Sequence, residues 1–351
     1  MINNQEKVLV VGPFKEDLKG GIYEVIKAFK DYDDNIHIYN TIFSQNTFLN
    51  TLFFLLSIPV FLWRAKQFNL FHFHTSVTGS LYRKSILIFL LSFLFSKKKI
   101  ILQIHSGKFI EFYEENLNRK KYINFIFRKS NTLLFITKDQ YNYFSNLNLK
   151  CDLKLIKNPI QRRNAPHKNF NLQQPLKILF LGKITKQKGV YDLIDVANKL
   201  EQEVRRNIEF LVAGIGEINS FKIKIKDQNL TNIIRYIGWL NPKEKAKYLK
   251  SSDILILPSY SEAMPMSILE GMSFGLPIIA TPVGAIPQLV NHKNGFLYTP
   301  GNINQLASCI TYCIKNRTEL KKLSTQSYLY SKDYFIDNVY DELNQIYKQL
   351  L

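Results

Sequence analysis

Two glutamates flank a helix start in the stretch SEAMPMSILEGMSFGLPIIAT, Ser261 to Thr281. Glu262 follows the buried-strand pattern DILILPS, and Glu270 falls about one turn into the helix that Pro265 introduces. A carboxylate at Glu270 can accept two hydrogen bonds from a vicinal diol such as ribose, while Glu262 can reach a second group of the ligand. Backbone N–H groups around Met264 can face an anion. Acids that only favour the helix dipole would explain one glutamate, not the pair, so the stretch predicts a ligand site.

Two lysines flank a predicted strand-to-helix turn in GKITKQKG, which begins at Gly182. Lys183 and Lys188 are expected at the carboxyl edge of a sheet, where two ammonium groups suit a pyrophosphate. The alternative is that both are ordinary solvated lysines. Their position directly after a buried strand favours the pyrophosphate.

A pair of glycines, Gly20 and Gly21, precedes a helical pattern shortly after the first strand. Glycines at this point let a phosphate approach the N–H groups of a helix N-terminus. A tight turn would also need glycine, and GPFKEDLKGG lacks the G-x-G-x-x-G spacing of a dinucleotide site. We therefore expect a phosphate contact here, and not a dinucleotide site.

His105 ends the apolar run KIILQIHSG, so we expect it at the carboxyl end of a strand, where a neutral imidazole can hydrogen-bond a substrate hydroxyl. His72 and His74 share one face of another strand end and are interpreted as core-edge histidines bonded to the backbone. No grouping of His, Asp and Glu has metal-ligand spacing, so we expect no essential metal. Lysines and helix N-termini can neutralise an anionic leaving group instead.

Two segments begin alike, because KVLVVGPF and LKILFLGKI are each typical of a buried parallel strand that ends in a glycine turn. Strand and helix patterns alternate after each, which predicts parallel sheets covered by helices on both faces. The polar stretch 161–175 is interpreted as a linker. We predict two doubly wound α/β domains, 1–165 and 166–330, with a helix over 331–351 that packs back on the first. Ligands bind beyond the carboxyl ends of such strands, which places the expected site in the cleft between the domains.

The composition bounds the class of protein. The chain has 351 residues, 46% of them hydrophobic, which argues against disorder. A net charge of +19 suits an anionic partner, although an A+T-rich genome would also enrich lysine. The sequence has no basic recognition helix or zinc pattern, so nucleic acid is not an expected partner. Cys151, Cys309 and Cys313 form no disulfide framework and, without a signal peptide, favour a reducing cytoplasm.

Two apolar runs, 51–63 and 85–96, each fall short of the roughly 20 residues that span a bilayer, and Pro59 is expected to interrupt the first. Residues 51–100 contain no Asp or Glu but carry seven basic residues: Arg64, Lys66, Arg83, Lys84, Lys97, Lys98 and Lys99. Apolar helices flanked by basic side chains fit a surface that touches anionic lipid, and a core helix with a solvated basic rim is the alternative. We expect a cytoplasmic protein, peripheral on the inner face of the cell membrane.

The second half resembles the retaining glycosyltransferases of family 4, whose GT-B fold has two Rossmann-like domains facing a central cleft. The family's mark, two glutamates separated by seven residues, is matched by Glu262 and Glu270, and GMSFGLPIIATPVGAIPQLVNHKNGFLYTPGN is similar throughout. The blocks ILFLGKITKQKGVYDLI, FLVAGIGE and YIGWL follow the family's order. The first half is similar mainly at Gly20–Gly21 and QIHSGKF. The resemblance covers nearly the whole chain and is strong after Lys177.

For the second half, the resemblance implies a role for each matched residue. Lys183 and Lys188 hold the donor pyrophosphate, and Glu270 holds the ribose. Glu262 contacts hydroxyls of the transferred sugar, and the base lies near the backbone from Gly238 to Leu240.

For the first half, the resemblance implies that Gly21 contacts the donor phosphate through its backbone and that His105 lies near the sugar and the reaction centre. Two positions depart from the family, because Ala263 and Ser106 stand where many members have Gly. Ala263 adds a Cβ beside the donor sugar and leaves the identity of that sugar open.

These features together predict an enzyme that transfers a sugar from a UDP- or GDP-linked donor to an acceptor hydroxyl with retention of the anomeric configuration, without a cofactor. The family expectation is that the leaving diphosphate accepts the acceptor's proton on the same face, and a double displacement through a carboxylate is the alternative. The basic, apolar first half suggests a lipid-linked saccharide acceptor of a surface polysaccharide. The alternative functions are a noncatalytic nucleotide-sugar-binding subunit and a nucleotide-sugar epimerase.

Overall fold

The chain forms two compact units in the computed structural model, which describes residues 7–16, 20–44, 46–165, 168, 170 and 173–351. The first unit comprises the described residues up to Gln161 together with Tyr334–Leu351, and the second comprises those of Arg162–Asp333. Part of the predicted linker, residues 166–167, 169 and 171–172, lies outside the described residues.

The first unit contains a parallel six-stranded sheet in the order β2-β1-β3-β4-β5-β6. Its strands are β1 (Val8–Gly12), β2 (Ile36–Asn40), β3 (Leu70–Thr75), β4 (Lys99–Ile104), β5 (Thr132–Phe135) and β6 (Asp152–Leu155). β1 and β3 are buried along their whole length, as strands covered on both faces must be. Sequence order reverses where β1 pairs with both β2 and β3, and open α/β sheets bind ligands at such a point.

Helices cover this sheet, and the chain returns to it at its C-terminal end. They are α1 (Gly21–Tyr32), α2 (Thr47–Ala65), α3 (Gly79–Leu94), α4 (Phe109–Glu114), α5 (Leu117–Lys129), α6 (Lys138–Ser145) and α15 (Ile336–Leu350). α15 packs on α1, and the Tyr340 hydroxyl donates to the Asp33 carboxylate. The helix predicted over 331–351 is divided, because a 3-10 turn at Lys332–Tyr334 precedes α15.

The second unit contains another parallel sheet, in the order β12-β11-β10-β7-β8-β9. Its strands are β7 (Leu176–Leu181), β8 (Ile208–Ala213), β9 (Ile234–Gly238), β10 (Ile254–Leu257), β11 (Ile278–Ala280) and β12 (Gly295–Leu297). Its helices are α7 (Asp192–Lys199), α8 (Gln202–Arg206), α9 (Ile218–Asp227), α10 (Pro242–Ser251), α11 (Met266–Ser273), α12 (Ile286–Leu289), α13 (Ile303–Lys315) and α14 (Leu320–Ser331). Sequence order reverses between β7 and β10, which lie side by side. The predicted α/β class with two doubly wound parallel sheets is confirmed.

The first apolar run differs from its prediction. α2 continues through Pro59 without a break and is 19 residues long, so within the described part of the chain it is long and apolar enough to cross a membrane by length and composition. Asn50, Phe54, Phe61 and Ala65 are its buried residues, spaced so that they share one side of the helix. That side holds α2 on the core of the first unit and leaves most of its other side chains exposed.

Candidate active site

The loops that follow β7 and β10 meet at the reversal point of the second sheet. After β7 the chain passes through a 3-10 turn at Lys186–Lys188, and the Gln187 carbonyl accepts the Tyr260 N–H at 2.9 Å. Gly189 has a φ of +67°, and a Cβ there would lie 1.9 Å from the Pro258 carbonyl oxygen. Residue 189 must therefore be glycine, because the two loops are in close contact there. This contact and the backbone hydrogen bond hold the two loops in a defined relative position.

Lys188 and Glu262 form an ion pair between these loops, with Nζ 2.6 Å from Oε1. Ser259 Oγ donates to the same oxygen at 2.7 Å. The Glu262 side chain is only 7% exposed, and burying a carboxylate is costly unless it has a charged partner and hydrogen bonds. The structure thus brings two predicted site residues into contact and adds Ser259, which the sequence analysis missed although it stands three positions before Glu262.

Glu270 carries a second ion pair, because Lys245 Nζ of α10 lies 2.6 Å from its Oε1. Burial lowers the pKa of the Arg163 guanidinium, whereas the Glu270 carboxylate raises it, so another cation lies near this carboxylate. Sequence reasoning missed Lys245 and Arg163. The available signal for Lys245 was the basic pattern PKEKAK at a helix start directly after a predicted strand.

Lys183 is exposed on the loop after β7, whereas Lys188 farther along that loop reaches Glu262. The loop backbone is tied to the loop after β8, because the Ile184 N–H donates to the Ile215 carbonyl at 2.8 Å. The backbone of the loop that carries Lys183 is therefore held at the carboxyl edge of the sheet.

Gly238 and Met264 lie at the ends of two other strands of this edge. Gly238 ends β9 with a φ of +85°, which favours glycine, and a Cβ there would meet no heavy atom within 4 Å among the described residues. Met264 is buried in the loop just before α11.

Gly20 and Gly21 lie at the start of α1, with Gly20 as the N-cap. The φ of Gly20 is −160°, an extended conformation that any residue adopts, and Gly21 does not have a positive φ. A Cβ on either residue would contact nothing within 4 Å in the described ranges. Neither a positive φ nor crowding by the described residues therefore requires glycine at these two positions.

His105 follows β4, and its Nε2 lies 2.9 Å from Nδ1 of His74 at the end of β3. His72 Nδ1 lies 2.7 Å from the Tyr347 hydroxyl of α15. The interpretation that His72 and His74 bond to the backbone was wrong, because these ring nitrogens contact side chains. Burial lowers the pKa of the His105 imidazole to about 3, with the Lys84 ammonium as a smaller cause, so His105 is neutral near pH 7.

The predicted site residues fall into one set in each unit. Gly20, Gly21 and His105 belong to the first unit, and Lys183, Lys188, Gly238, Glu262, Met264 and Glu270 belong to the second. Within the residues that the structure describes, no group of three or more His, Cys, Asp and Glu could hold a metal ion.

Sequence comparison finds relatives of the second unit. Residues 161–329 match the family model of the glycosyl transferases group 1. The amylovoran biosynthesis glycosyltransferase AmsK of Erwinia amylovora is 30% identical over 165 residues, which cover 43% of this chain and 40% of AmsK. An uncharacterized 41.2 kDa protein in the cps region of Klebsiella pneumoniae is 25% identical over 306 residues, which cover 79% of this chain and 82% of that protein. The match to AmsK thus spans less than half of that relative's length.

Structural comparison identifies the architecture. The crystal structure of Anabaena Alr3699/HepE in complex with UDP-glucose matches with a TM-score of 0.77 at 17% identity, over 97% of this chain and 99% of that one. At this identity the likeness shows the fold alone. By sequence, residues 161–329 match the glycosyl transferases group 1, and by architecture the chain has the GT-B fold.

Proposed function

We propose that the protein is a retaining glycosyltransferase that moves a sugar from a UDP- or GDP-linked donor to an acceptor hydroxyl. The observation that carries this proposal is the arrangement of two carboxylate–lysine pairs, Glu262 with Lys188 and Glu270 with Lys245, on the elements around the β7–β10 reversal point. Ammonium groups bind phosphate oxygens, and carboxylates bind vicinal hydroxyls. A nucleoside diphosphate sugar offers both kinds of group.

The proposed roles follow from the contacts of each side chain. Lys188 shares its ammonium between Glu262 and the donor diphosphate, and the exposed Lys183 binds the same diphosphate. Glu262, oriented by Ser259, accepts a hydrogen bond from a hydroxyl of the transferred sugar. Glu270, oriented by Lys245, accepts the ribose hydroxyls. The lysines stabilise the negative charge that grows on the leaving diphosphate.

Helix N-termini are proposed as further phosphate donors. The backbone N–H groups around Met264 at the start of α11 can donate to phosphate oxygens in the second unit, and those near Gly20 and Gly21 are a separate candidate phosphate contact of the first unit. The base is assigned to the backbone from Gly238 onward. In this assignment the lysines and the backbone N–H groups bind the anion, and no step requires a metal ion.

The surroundings of Glu262 support a route to retention without a protein nucleophile. Its Oε1 already accepts hydrogen bonds from Lys188 and Ser259, and both reduce its nucleophilicity. In the proposed route, the leaving diphosphate oxygen accepts the proton of the acceptor hydroxyl as that hydroxyl attacks on the same face. Double displacement through a carboxylate is the alternative.

The relatives support the substrate classes. One is named for amylovoran biosynthesis, another for a cps region, and the structural neighbour is a complex with UDP-glucose. We therefore propose a nucleotide sugar as donor and a lipid-linked saccharide of a surface polysaccharide as acceptor.

An exposed apolar face on the first unit supports a membrane location. The helices α2 and α3 pack together, and we define the α2–α3 face as their exposed apolar side chains. Four of these side chains are between 64% and 75% exposed: Phe48, Leu56, Trp63 and Phe93. Contiguous exposed apolar side chains of this kind mark interaction surfaces. Since one side of α2 is packed on the core, we propose that the helix lies in the lipid interface rather than spanning the bilayer.

The basic residues around this face are fewer than the sequence suggested. Lys84 is buried and was wrongly included in the predicted basic surface, whereas Lys66 and Lys97 are exposed. These two ammonium groups are proposed to contact anionic lipid beside the α2–α3 face. The protein is accordingly proposed to be cytoplasmic and peripheral on the inner face of the cell membrane.

A donor screen tests the proposed function. The purified protein is incubated with UDP-glucose, UDP-N-acetylglucosamine or GDP-mannose and a monosaccharide linked to an alkyl diphosphate, and the product anomer is assigned by NMR. Transfer with retention supports the proposal, and transfer with inversion overturns its stereochemistry. Binding without turnover would indicate a noncatalytic subunit, and an isomerised donor would indicate an epimerase.

A further inference from the structure

A second histidine holds the imidazole of His105. His74 Nδ1 and His105 Nε2 are 2.9 Å apart, and the two rings stack with their centroids 5.0 Å apart. His74 is fully buried, whereas His105 is partly exposed at the end of β4. One of the two facing nitrogens must carry the proton, so this contact sets the tautomers of both rings.

Burial decides which nitrogen donates. His74 Nε2 is buried, and no residue in the described part of the chain is its hydrogen-bond partner. If His74 accepted at Nδ1, its proton would lie on Nε2 as a buried N–H without a partner, and folded proteins rarely leave such a donor orphaned. With the proton on Nδ1, His74 donates to His105, and its Nε2 is a bare acceptor, which folded proteins leave under-satisfied more often than an N–H. His105 then accepts at Nε2 and carries its own proton on Nδ1.

We infer that His74 is a positioning residue. Its Nδ1–H donates to His105 Nε2, so the His105 proton is held on Nδ1. His105 then offers this Nδ1–H to an oxygen of the substrate. His105 then acts as a neutral hydrogen-bond donor and not as a general base. The role of His105 toward the substrate rests on the proposed glycosyl transfer. The tautomer of His105 does not depend on any activity.

The groups that face this pair keep both rings neutral. His72 packs against the His74 ring with their centroids 4.2 Å apart, and the buried Lys84 of α3 donates to Ser80 Oγ at 3.1 Å. Burial lowers the pKa of the His74 imidazole far below its ordinary value, with His72, His105 and Lys84 as smaller causes. A neutral His105 has one N–H to donate, and the contact with His74 leaves it on Nδ1.

NMR of the full chain tests the tautomer without a substrate. The six histidines are labelled with ¹⁵N, and a long-range ¹H–¹⁵N spectrum distinguishes a protonated ring nitrogen from a bare one. The His105 signal is assigned by its loss in His105→Gln. We expect Nδ1–H in the wild type and a shift toward Nε2–H in His74→Phe. An Nε2–H tautomer in the wild type, or no change in His74→Phe, overturns the inference.

Two further substitutions separate hydrogen bonding from packing. The amide nitrogen of Asn can take the place of Nδ1, whereas that of Gln falls nearer the place of Nε2. His74→Asn should therefore keep the His105 tautomer, and His74→Gln should not. If His74→Phe fails to fold, the comparison of His74→Asn with His74→Gln still tests the inference. Thermal unfolding of each variant shows whether it is folded. His37→Phe on β2 is the control, because His37 packs on Phe68 and is expected to leave His105 unchanged.

Kinetics tests the positioning role with a donor that turns over in the screen above. Loss of one hydrogen bond should lower kcat about tenfold in His74→Phe and in His74→Gln, with His74→Asn near the wild type and UDP affinity unchanged in all three. A lost tautomer with an unchanged kcat would overturn the positioning role. If no donor turns over at all, the proposed function fails while the NMR result still decides the tautomer.

Discussion

Lys188 and Glu262 stand 74 residues apart in the chain, yet Lys188 Nζ lies 2.6 Å from Glu262 Oε1. The contact exists because β7 and β10 are adjacent in the sheet, so the loops after them meet at its carboxyl edge. A diphosphate that binds Lys188 must compete with Glu262 for the ammonium group or share it. In the proposed site, the ion pair would therefore couple anion binding to the orientation of the Glu262 carboxylate.

Lys188→Ala should weaken the binding of UDP and GDP by about 1 to 3 kcal/mol, the range for a hydrogen bond to a charged group. The loss is expected because the variant removes an ammonium group from the proposed diphosphate site. Isothermal titration calorimetry measures it. Lys186→Ala, which changes an exposed lysine of the same turn, is the matched control. Unchanged affinity for every nucleotide that the wild type binds would remove Lys188 from the site.

Glu270→Gln should separate the ribose contact from the diphosphate contact. The amide keeps the size of the side chain but loses the charge that Lys245 stabilises, so affinity for UDP should fall by about 1 to 2 kcal/mol. Affinity for inorganic pyrophosphate, which has no ribose, should change little. Both affinities are measured by calorimetry, with Glu201→Gln on the surface as control. Equal losses for UDP and pyrophosphate would contradict the assignment to ribose.

Sugar transfer should survive excess EDTA. The proposed site handles the diphosphate with Lys183, Lys188 and the helix N-termini, so no divalent cation is needed to neutralise the leaving group. Initial rates with and without the chelator are compared for the donor that turns over. Complete loss of transfer, restored by Mg²⁺ or Mn²⁺, would show that the reaction depends on a metal.

The class of fold followed from local patterns, whereas several contacts did not. Buried runs such as VLVVG and LKILFL, alternating with helical patterns, are enough to predict parallel sheets. The pair of Lys188 and Glu262 depends on which strands are adjacent, and local periodicity does not contain strand order. Lys245 escaped prediction for the same reason, because α10 and α11 meet only in the folded unit.

Burial was also hard to infer for single polar residues. Lys84 has the sequence context of a surface lysine, between Arg83 and Ser85, but it lies on the buried face of α3. His72 and His74 alternate correctly for one strand face, yet their partners come from α15 and from the end of β4. Pro59 sits inside a continuous helix because the packing of Phe54 and Phe61 on the core outweighs its helix-breaking tendency.

Lys84→Met should stabilise the protein most at and below neutral pH. Burial, and to a smaller extent Arg83, lowers the pKa of Lys84 from 10.5 to about 7 in the folded protein. Below about pH 7, Lys84 is protonated in both states, so the folded protein bears the full cost of a buried charge. Between about pH 7 and 10.5, Lys84 loses its proton in the folded protein but keeps it in the unfolded chain. The stability of the wild type therefore rises with pH over this range. Met removes this cost, which the difference between the two pKa values places on the order of 5 kcal/mol below about pH 7.

Urea unfolding at about pH 6.5 and about pH 9.5 measures this dependence for the Lys84→Met variant and the wild type. The advantage of the variant should be larger at the lower pH. Lys121→Met, which changes an exposed lysine on α5, is the control and should show no such trend. An advantage that is absent or independent of pH would mean that Lys84 is not the titrating group.

The α2–α3 face should bind anionic vesicles through its apolar side chains, and a double substitution in α2 tests it. Leu56→Ser with Trp63→Ser removes two of its most exposed apolar groups, so the fraction that pellets with phosphatidylglycerol vesicles should fall about tenfold. Ile223→Ser on α9, a similarly exposed position in the second unit, should leave pelleting unchanged.

Lys66→Ser with Lys97→Ser should instead weaken binding mainly at low salt, by about 1 kcal/mol per lysine. UDP affinity should be the same in all variants, because none of these residues belongs to the proposed donor site. A wild-type protein that stays in solution with these vesicles even at low salt would contradict the membrane location.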